Sequence, residues 1–120
     1  MILSQMMEKI KNHSDFQKAG MVLCHNGVVR ATSRDGRKVT GLRVAVDHRG
    51  LEKIVEEKKK TPGIVEILVH INSDRDLEVG DDVMYLAVAG DVRENVIKVL
   101  HETLDAIKST VTRKTEFFTE

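Results

Sequence analysis

The chain has 120 residues, 41% hydrophobic and 32% charged, which is typical of a folded globular protein and argues against a disordered chain. This length predicts a single domain over residues 1–120. Lys and Arg together number 19, as do Asp and Glu, so the net charge is zero and no general affinity for nucleic acid is expected.

Cysteine usage and hydropathy exclude further classes of protein. Cys24 is the single cysteine, so neither an internal disulfide framework nor a thiolate metal cluster is expected. The apolar runs are shorter than the ~20 residues of a membrane span, and the charged N-terminus does not resemble a signal peptide. We therefore expect a cytoplasmic protein that does not bind membranes.

The first third of the chain predicts a helix followed by a strand. Residues 2–18 show helical spacing of apolar residues, with Ser4 as a candidate N-cap and a break at residues 13–15. Residues 21–31 predict a strand, in which Asn26-Gly27 is either a hairpin turn or a bulge. Residues 34–37 (RDGR) predict a turn.

The middle of the chain alternates strands and a helix. Residues 39–46 alternate apolar and polar positions, which predicts a strand. Residues 47–60 predict an amphipathic helix that ends at the Thr-Pro-Gly sequence of residues 61–63. Residues 64–71 predict another strand. The nearly uniform apolar run at 83–89 predicts a central strand that is covered on both faces.

The C-terminal third predicts the longest helix. Residues 92–109 have helical spacing of apolar residues, with Asp91 as N-cap and Glu94 at the capping-box position. The β-branched tail from Thr110 predicts extended structure. Runs of adjacent strands favour an α+β fold with a mixed or antiparallel sheet, two main helices and an N-terminal helix.

Four cations are candidates for binding an anionic ligand: Arg30, Arg93, Lys108 and Lys114. Guanidinium and ammonium groups pair with phosphate and carboxylate, and a desolvated lysine also serves as acid, base or nucleophile. The alternative for each is a solvated surface charge. Arg93 and Lys108 are fifteen residues apart, or ~22 Å along a helix, so a ligand that contacts both requires a homodimer interface.

The histidines and the cysteine give weaker signals. The five histidines are scattered without the spacing of a helical metal site, so no metal is expected. His25 and Cys24 are neighbours on a predicted strand, where adjacent side chains point to opposite faces, so they do not form a nucleophile and base pair. We expect Cys24 to be a buried, unreactive thiol.

An ordered set of motifs over residues 20 to 116 resembles the large, catalytic subunit of molybdopterin synthase, of the MoaE type. The motifs are a Gly-x-Val-Arg strand end at 27–30, an acid-containing strand leading into a helix at 42–47, a strand with His70, a Leu-x-x-Gly-Asp turn at 77–81, the apolar strand 83–89, Arg93, Lys108 and Lys114. The chain is identified as a divergent member, with Val92 where the family has histidine and residues 111–113 in place of a Pro-Phe-Trp segment.

The resemblance implies a fold, a reaction and partners. The fold is an α/β-hammerhead, and the large subunit dimerises with a small subunit at each end. The reaction transfers sulfur from the thiocarboxylated C-terminal Gly-Gly of a small ubiquitin-like carrier to cyclic pyranopterin monophosphate, which forms molybdopterin. No cofactor or metal is implied for this step.

The resemblance also assigns roles to individual residues. Lys108 and Lys114 match catalytic lysines, and Arg30 and Arg93 match substrate-binding arginines that hold phosphate. The alternative function is that of a non-catalytic dimeric homologue, a binding or regulatory module that kept the fold. A structural α+β domain without a ligand is the third possibility.

Overall fold

Three α-helices and six strands form in the part of the chain that the computed structural model describes, residues 1–119. In chain order they are α1 (Leu3–Lys11), β1 (Met21–Val28), β2 (Val39–Val46), α2 (His48–Lys59), β3 (Ile64–Ile71), β4 (Asp76–Glu78), β5 (Asp82–Gly90), α3 (Arg93–Thr110) and β6 (Thr112–Phe118). A short 3-10 helix, Phe16–Lys18, precedes β1.

The first sheet has the strand order β1-β5-β3, and all its pairings are antiparallel. The central strand β5 is buried from Met84 to Gly90, which confirms the prediction from its uniform apolar sequence. Leu86 and Val88 belong to the core that α3 covers. Ala87 and Ala89 face the other way, where their small side chains admit Ile10 of α1.

The second sheet has the order β4-β2-β6 and is also antiparallel. Its core side carries Leu42 and Val44 of β2, which pack with Val29 and Leu77. From Leu42 to Val46 the alternation of buried and exposed residues follows the period of two that the sequence predicted, whereas Gly41 and Leu42 are both buried. The predicted α+β class with antiparallel strands is therefore confirmed, with the strands divided between two sheets.

The starts of two helices differ from the sequence prediction. For α1, Ile2 and not Ser4 occupies the N-cap, and the Gln5 side chain accepts a hydrogen bond from the Ile2 N–H at 2.9 Å. For α3, Val92 and not Asp91 occupies the N-cap. The Oδ1 atom of Asp91 still accepts a hydrogen bond from the Val92 N–H at 2.7 Å. The carboxylate therefore bonds to the start of the helix, although it lies one residue before the N-cap.

The structure shows what becomes of the two turns that the sequence suggested, at residues 26–27 and 34–37. The register of β1 against β5 shifts between Gly27 and Val28, so the Asn26-Gly27 signal marks a bulge rather than a hairpin turn. The predicted turn at 34–37 is present, with Gly36 at φ 86°. The short strand β4 was missed because three residues carry almost no periodic signal of their own.

Across residues 1–119, none of the helices combines the length and the apolar character needed to cross a membrane.

Candidate functional site

A pocket of about 340 Å³ lies between the two sheets and the C-terminal end of α3. Its lining residues come from both sheets, the loop after β1 and α3, which the chain topology brings together from distant parts of the sequence. The lining residues carrying polar or charged groups are His25, Arg34, Lys108, Thr112 and Lys114, and the apolar wall includes Leu42, Val44, Ile71, Val83 and Met84.

Lys108 and Lys114, the two candidate catalytic lysines, both line this pocket. Lys108 lies in the last turn of α3, and Lys114 lies on β6, where it faces Val44 across the pairing with β2. Thr112 and Lys114 are two residues apart, so their side chains project from the same face of the strand. The structure therefore brings together two lysines on different elements.

The junction between these elements is held by backbone hydrogen bonds. The Val111 N–H donates to the Ile107 carbonyl at 3.1 Å, and the Val111 carbonyl accepts from the Asp47 N–H at 2.8 Å. Val111 is itself buried, at 5% exposure. The helix end and the start of β6 are thus fixed relative to each other and to the end of β2.

The electrostatics of the pocket favour an anion. Arg34 adds a third cation to the two lysines, and no carboxylate is found among the lining residues within 1–119. Lys114 is only loosely engaged elsewhere, with its ammonium 3.9 Å from the Glu116 carboxylate. Three cations beside an apolar wall suit a ligand with an apolar ring and a phosphate or carboxylate group.

His25 is a pocket residue that sequence reasoning treated as ordinary. Its Nε2 atom is buried without a hydrogen-bond partner within the described chain. Burial lowers the pKa of His25, and the positive charge of Lys108 lowers it further. The signal that could have found it is the alternation along β1, which puts His25 on the same face as Gly27.

Cys24 lies on the opposite face of β1 from His25, as predicted. Its Sγ is 3.6 Å from the Sδ of Met7, and burial raises the pKa of the thiol. Cys24 is only partly buried, so the prediction of a buried thiol holds only in part. A raised pKa leaves little thiolate at neutral pH, which agrees with an unreactive thiol.

Arg30 and Arg93, the two candidate substrate-binding arginines, lie outside the pocket of a single chain. Arg30 is exposed, and its Nε donates to the Thr32 carbonyl at 2.8 Å. Arg93 begins α3, at the opposite end from Lys108, and its side chain is 79% exposed. Arg34 is the arginine that reaches the pocket, and the sequence did not single it out because its loop has no regular period.

A second, larger cleft of about 530 Å³ includes His70, Asn72, Asp82 and Tyr85. Its polar groups bond to one another: His70 Nε2 lies 3.1 Å from the Asn72 amide oxygen, and the Tyr85 hydroxyl donates to the Asp82 carboxylate at 2.5 Å. These four side chains are therefore already engaged with one another within the cleft. In the described part of the chain, no group of three or more His, Cys, Asp and Glu side chains is placed to hold a metal ion.

Solved structures share this fold over nearly the whole chain. Molybdopterin synthase from Staphylococcus aureus superposes with a TM-score of 0.81 at 21% identity, covering 100% of this chain and 87% of that chain. Molybdopterin cofactor biosynthesis protein E from Burkholderia multivorans ATCC 17616 gives a TM-score of 0.77 at 22% identity, covering 99% and 82%.

A third similar structure comes from an assembly of two subunits. It is a complex of subunits 1 and 2 of molybdopterin-converting factor from Helicobacter pylori 26695, with a TM-score of 0.72 at 16% identity, covering 98% of this chain and 80% of that chain. At these identities the likeness establishes the fold, and it agrees with the hammerhead-like architecture expected from the sequence. The search of curated proteins gave no match.

A family model provides the test of relationship at the level of sequence. The model described as MoaE protein matches residues 3–110, which include both sheets except β6 and all three helices. The chain therefore belongs to the MoaE family.

Proposed function

We propose that this chain acts in molybdenum cofactor biosynthesis as the large subunit of a molybdopterin synthase. The proposed reaction moves sulfur from the thiocarboxylated C-terminus of a small carrier subunit to cyclic pyranopterin monophosphate. Membership of the MoaE family supports the biosynthetic role. The observation that carries the reaction is the shared pocket of Lys108 and Lys114, with Arg34 as a third cation.

The chemistry of the carrier group fits this pocket. A thiocarboxylate, R–C(=O)–S⁻, is an anion, so ammonium groups attract it and hydrogen-bond to its carbonyl oxygen. In the proposed step the carrier sulfur displaces an oxygen from a substrate carbon, which forms a thioester; water then attacks the acyl carbon and the acyl C–S bond breaks, so that sulfur stays on the substrate and the carrier leaves as a carboxylate. Negative charge grows on the carbonyl oxygen during this attack, and fixed cations stabilise it. We assign this role to Lys108, and proton transfer at the acceptor to Lys114.

The substrate also fits the lining. A cyclic phosphate carries negative charge that a guanidinium binds through two parallel hydrogen bonds, and Arg34 supplies that group here. The apolar wall, which includes Leu42 and Ile71, offers a surface for the pterin ring. A Gly-Gly tail has no side chains, so an extended carrier C-terminus can enter a narrow opening. The complex formed by the Helicobacter pylori relative supports a two-subunit assembly.

A second copy of the chain is part of the proposal. Arg93 and Lys108 lie near opposite ends of the single helix α3, fifteen residues or ~22 Å apart, so they contact one ligand only across a dimer. Analytical ultracentrifugation should therefore show a dimer at the concentrations used for the assay. If the protein were only monomeric under those conditions, Arg93 could not contribute to the site that contains Lys108.

The activity itself is tested by reconstitution. The purified chain is mixed with thiocarboxylated small subunit and the cyclic pterin, and molybdopterin is measured after its conversion to a fluorescent derivative. Product is expected at a rate that falls in the Lys108 and Lys114 variants. Absence of product, while a known synthase works in the same mixture, would overturn the enzymatic proposal.

One observation favours the alternative of a non-catalytic dimeric homologue. Val92, at the position where the family has histidine, is 49% exposed at the start of α3, so no imidazole is available there. In this alternative the pocket binds the pterin phosphate without turnover. Calorimetry that shows pterin binding, together with no product in the reconstitution, is the result that would select it.

A further inference from the structure

The starting observation is an unmet hydrogen-bond acceptor or donor inside the pocket. His25 Nε2 is buried, and no partner for it is present in the described residues. A buried polar atom left without a partner destabilises the folded state. Gly27, on the same face of β1, contributes no side chain that could bond to Nε2.

The charged groups around His25 come from three elements. Lys108 lies on α3, Lys114 on β6 and Arg34 in the loop between β1 and β2. The strands β2, β3 and β5 present uncharged side chains to the same space, such as Val44, Ile71 and Met84. Burial lowers the pKa of His25, and the charge of Lys108 lowers it further.

We propose that the Lys108 ammonium group, which makes no hydrogen bond to His25 Nε2 in the structure, turns on its flexible stem to donate one to Nε2 and is then held in place over the pocket. His25 is then a positioning residue that acts through Lys108. The importance of this contact for turnover rests on the proposed function, whereas the contact itself does not. A lysine has a flexible four-carbon stem, so a fixed acceptor reduces the number of positions that its ammonium visits.

The environment of His25 agrees with this role. Burial and then the charge of Lys108 lower the pKa of His25 below its usual 6.5, so the ring is neutral at pH 7. A neutral ring that accepts at Nε2 carries its proton on Nδ1. An exposed histidine can carry its proton on either ring nitrogen, so the tautomer of His25 shows whether Nε2 accepts a hydrogen bond.

Nuclear magnetic resonance of the protein labelled with ¹⁵N at histidine tests the contact without any substrate. In the wild type we expect His25 to show the Nδ1–H tautomer and a pKa below 6.5. Lys108→Met keeps the stem and removes the donor, so the Nε2 signal should change and the pKa should rise. Lys98→Met, on the exposed side of the same helix, is the matched control and should change neither.

Two results would overturn the contact. One is a His25 signal that is the same in Lys108→Met as in the wild type. The other is a change that follows Lys114→Met instead of Lys108→Met. Both variants alter exposed side chains, so the measurement does not depend on a substitution in the core.

Activity then tests the positioning role. His25→Gln offers a carbonyl oxygen close to the place of Nε2, so kcat should stay within a few-fold of the wild type. His25→Leu has no acceptor, and kcat should fall by ~100-fold with KM little changed, because a small displacement of a catalytic group has an effect of that size. An unchanged kcat in a folded His25→Leu protein would refute the role. If the wild type forms no product, the proposed function fails, and the resonance measurement still decides the contact.

Discussion

Replacing Lys108 by Met should separate catalysis from stability. Lys108 is exposed and forms no ion pair within residues 1–119. Its charge lies in the last turn of α3, where a cation contributes about 0.3–1 kcal/mol through the helix dipole. Loss of this term lowers the melting temperature by at most about 4 °C for a domain of this size.

The effect on sulfur transfer should be much larger. A positioned group that takes part in proton transfer or stabilises charge contributes ~10²–10⁴-fold, so molybdopterin formation by Lys108→Met should fall by at least ~100-fold. The assay pairs reconstitution with thermal unfolding followed by circular dichroism. Lys98→Met, on the same helix and 76% exposed at its side chain, should lose neither activity nor stability.

Ile107, the residue before Lys108, provides a control in which the stability of the fold should fall. Ile107 is 0% exposed, and Ile107→Ala should lower the unfolding free energy by ~2–5 kcal/mol through the cavity it leaves. Full activity in Lys108→Met would refute the assignment of this lysine. A melting temperature that falls as far as in Ile107→Ala would show instead that Lys108 acts through the fold.

Two further predictions concern stability. Gly41→Ala should lower the unfolding free energy by ~1–3 kcal/mol, because the new Cβ would lie 2.3 Å from the Leu77 carbonyl oxygen; thermal unfolding checks this, and an unchanged midpoint would contradict the packing of β2 on β4. Tyr85→Phe removes the donor that most lowers the pKa of Asp82. The stabilisation from a depressed carboxyl pKa is present above the unfolded value of 3.8 and is lost as the pH falls through the folded value. Urea unfolding should therefore show a loss of stability at pH 7 that shrinks below about pH 4, and a loss independent of pH would exclude the linkage.

The regular elements could be predicted because their patterns are local. The period of two in β2 and the uniform apolar run of β5 follow directly from which faces are buried. Helix ends were less predictable: Asp91 caps its turn from outside the helix, and Val92 takes the N-cap. The strand β4 exists because β2 offers it a partner, which is a property of the tertiary structure.

The candidate site was predictable only in part. Lys108 and Lys114 were identified through the family resemblance, and the fold brings them to one pocket. Arg34 was missed because its place depends on the bulge at the end of β1 and on the loop that follows it, and His25 was missed because the alternation along β1 does not tell which face lines a pocket. Arg30, which the resemblance favoured, lies outside the pocket of this chain, and its role stays a prediction.

The position of Val111 has a mechanical consequence. It lies where α3, which packs on the first sheet, passes into β6, which belongs to the second sheet. A ligand bound by Lys108 and Lys114 together would therefore bridge α3 and the second sheet, which this short connection joins. Such a ligand should make the two sheets open together, so that amide hydrogen exchange slows in β2 and β6 as much as in α3.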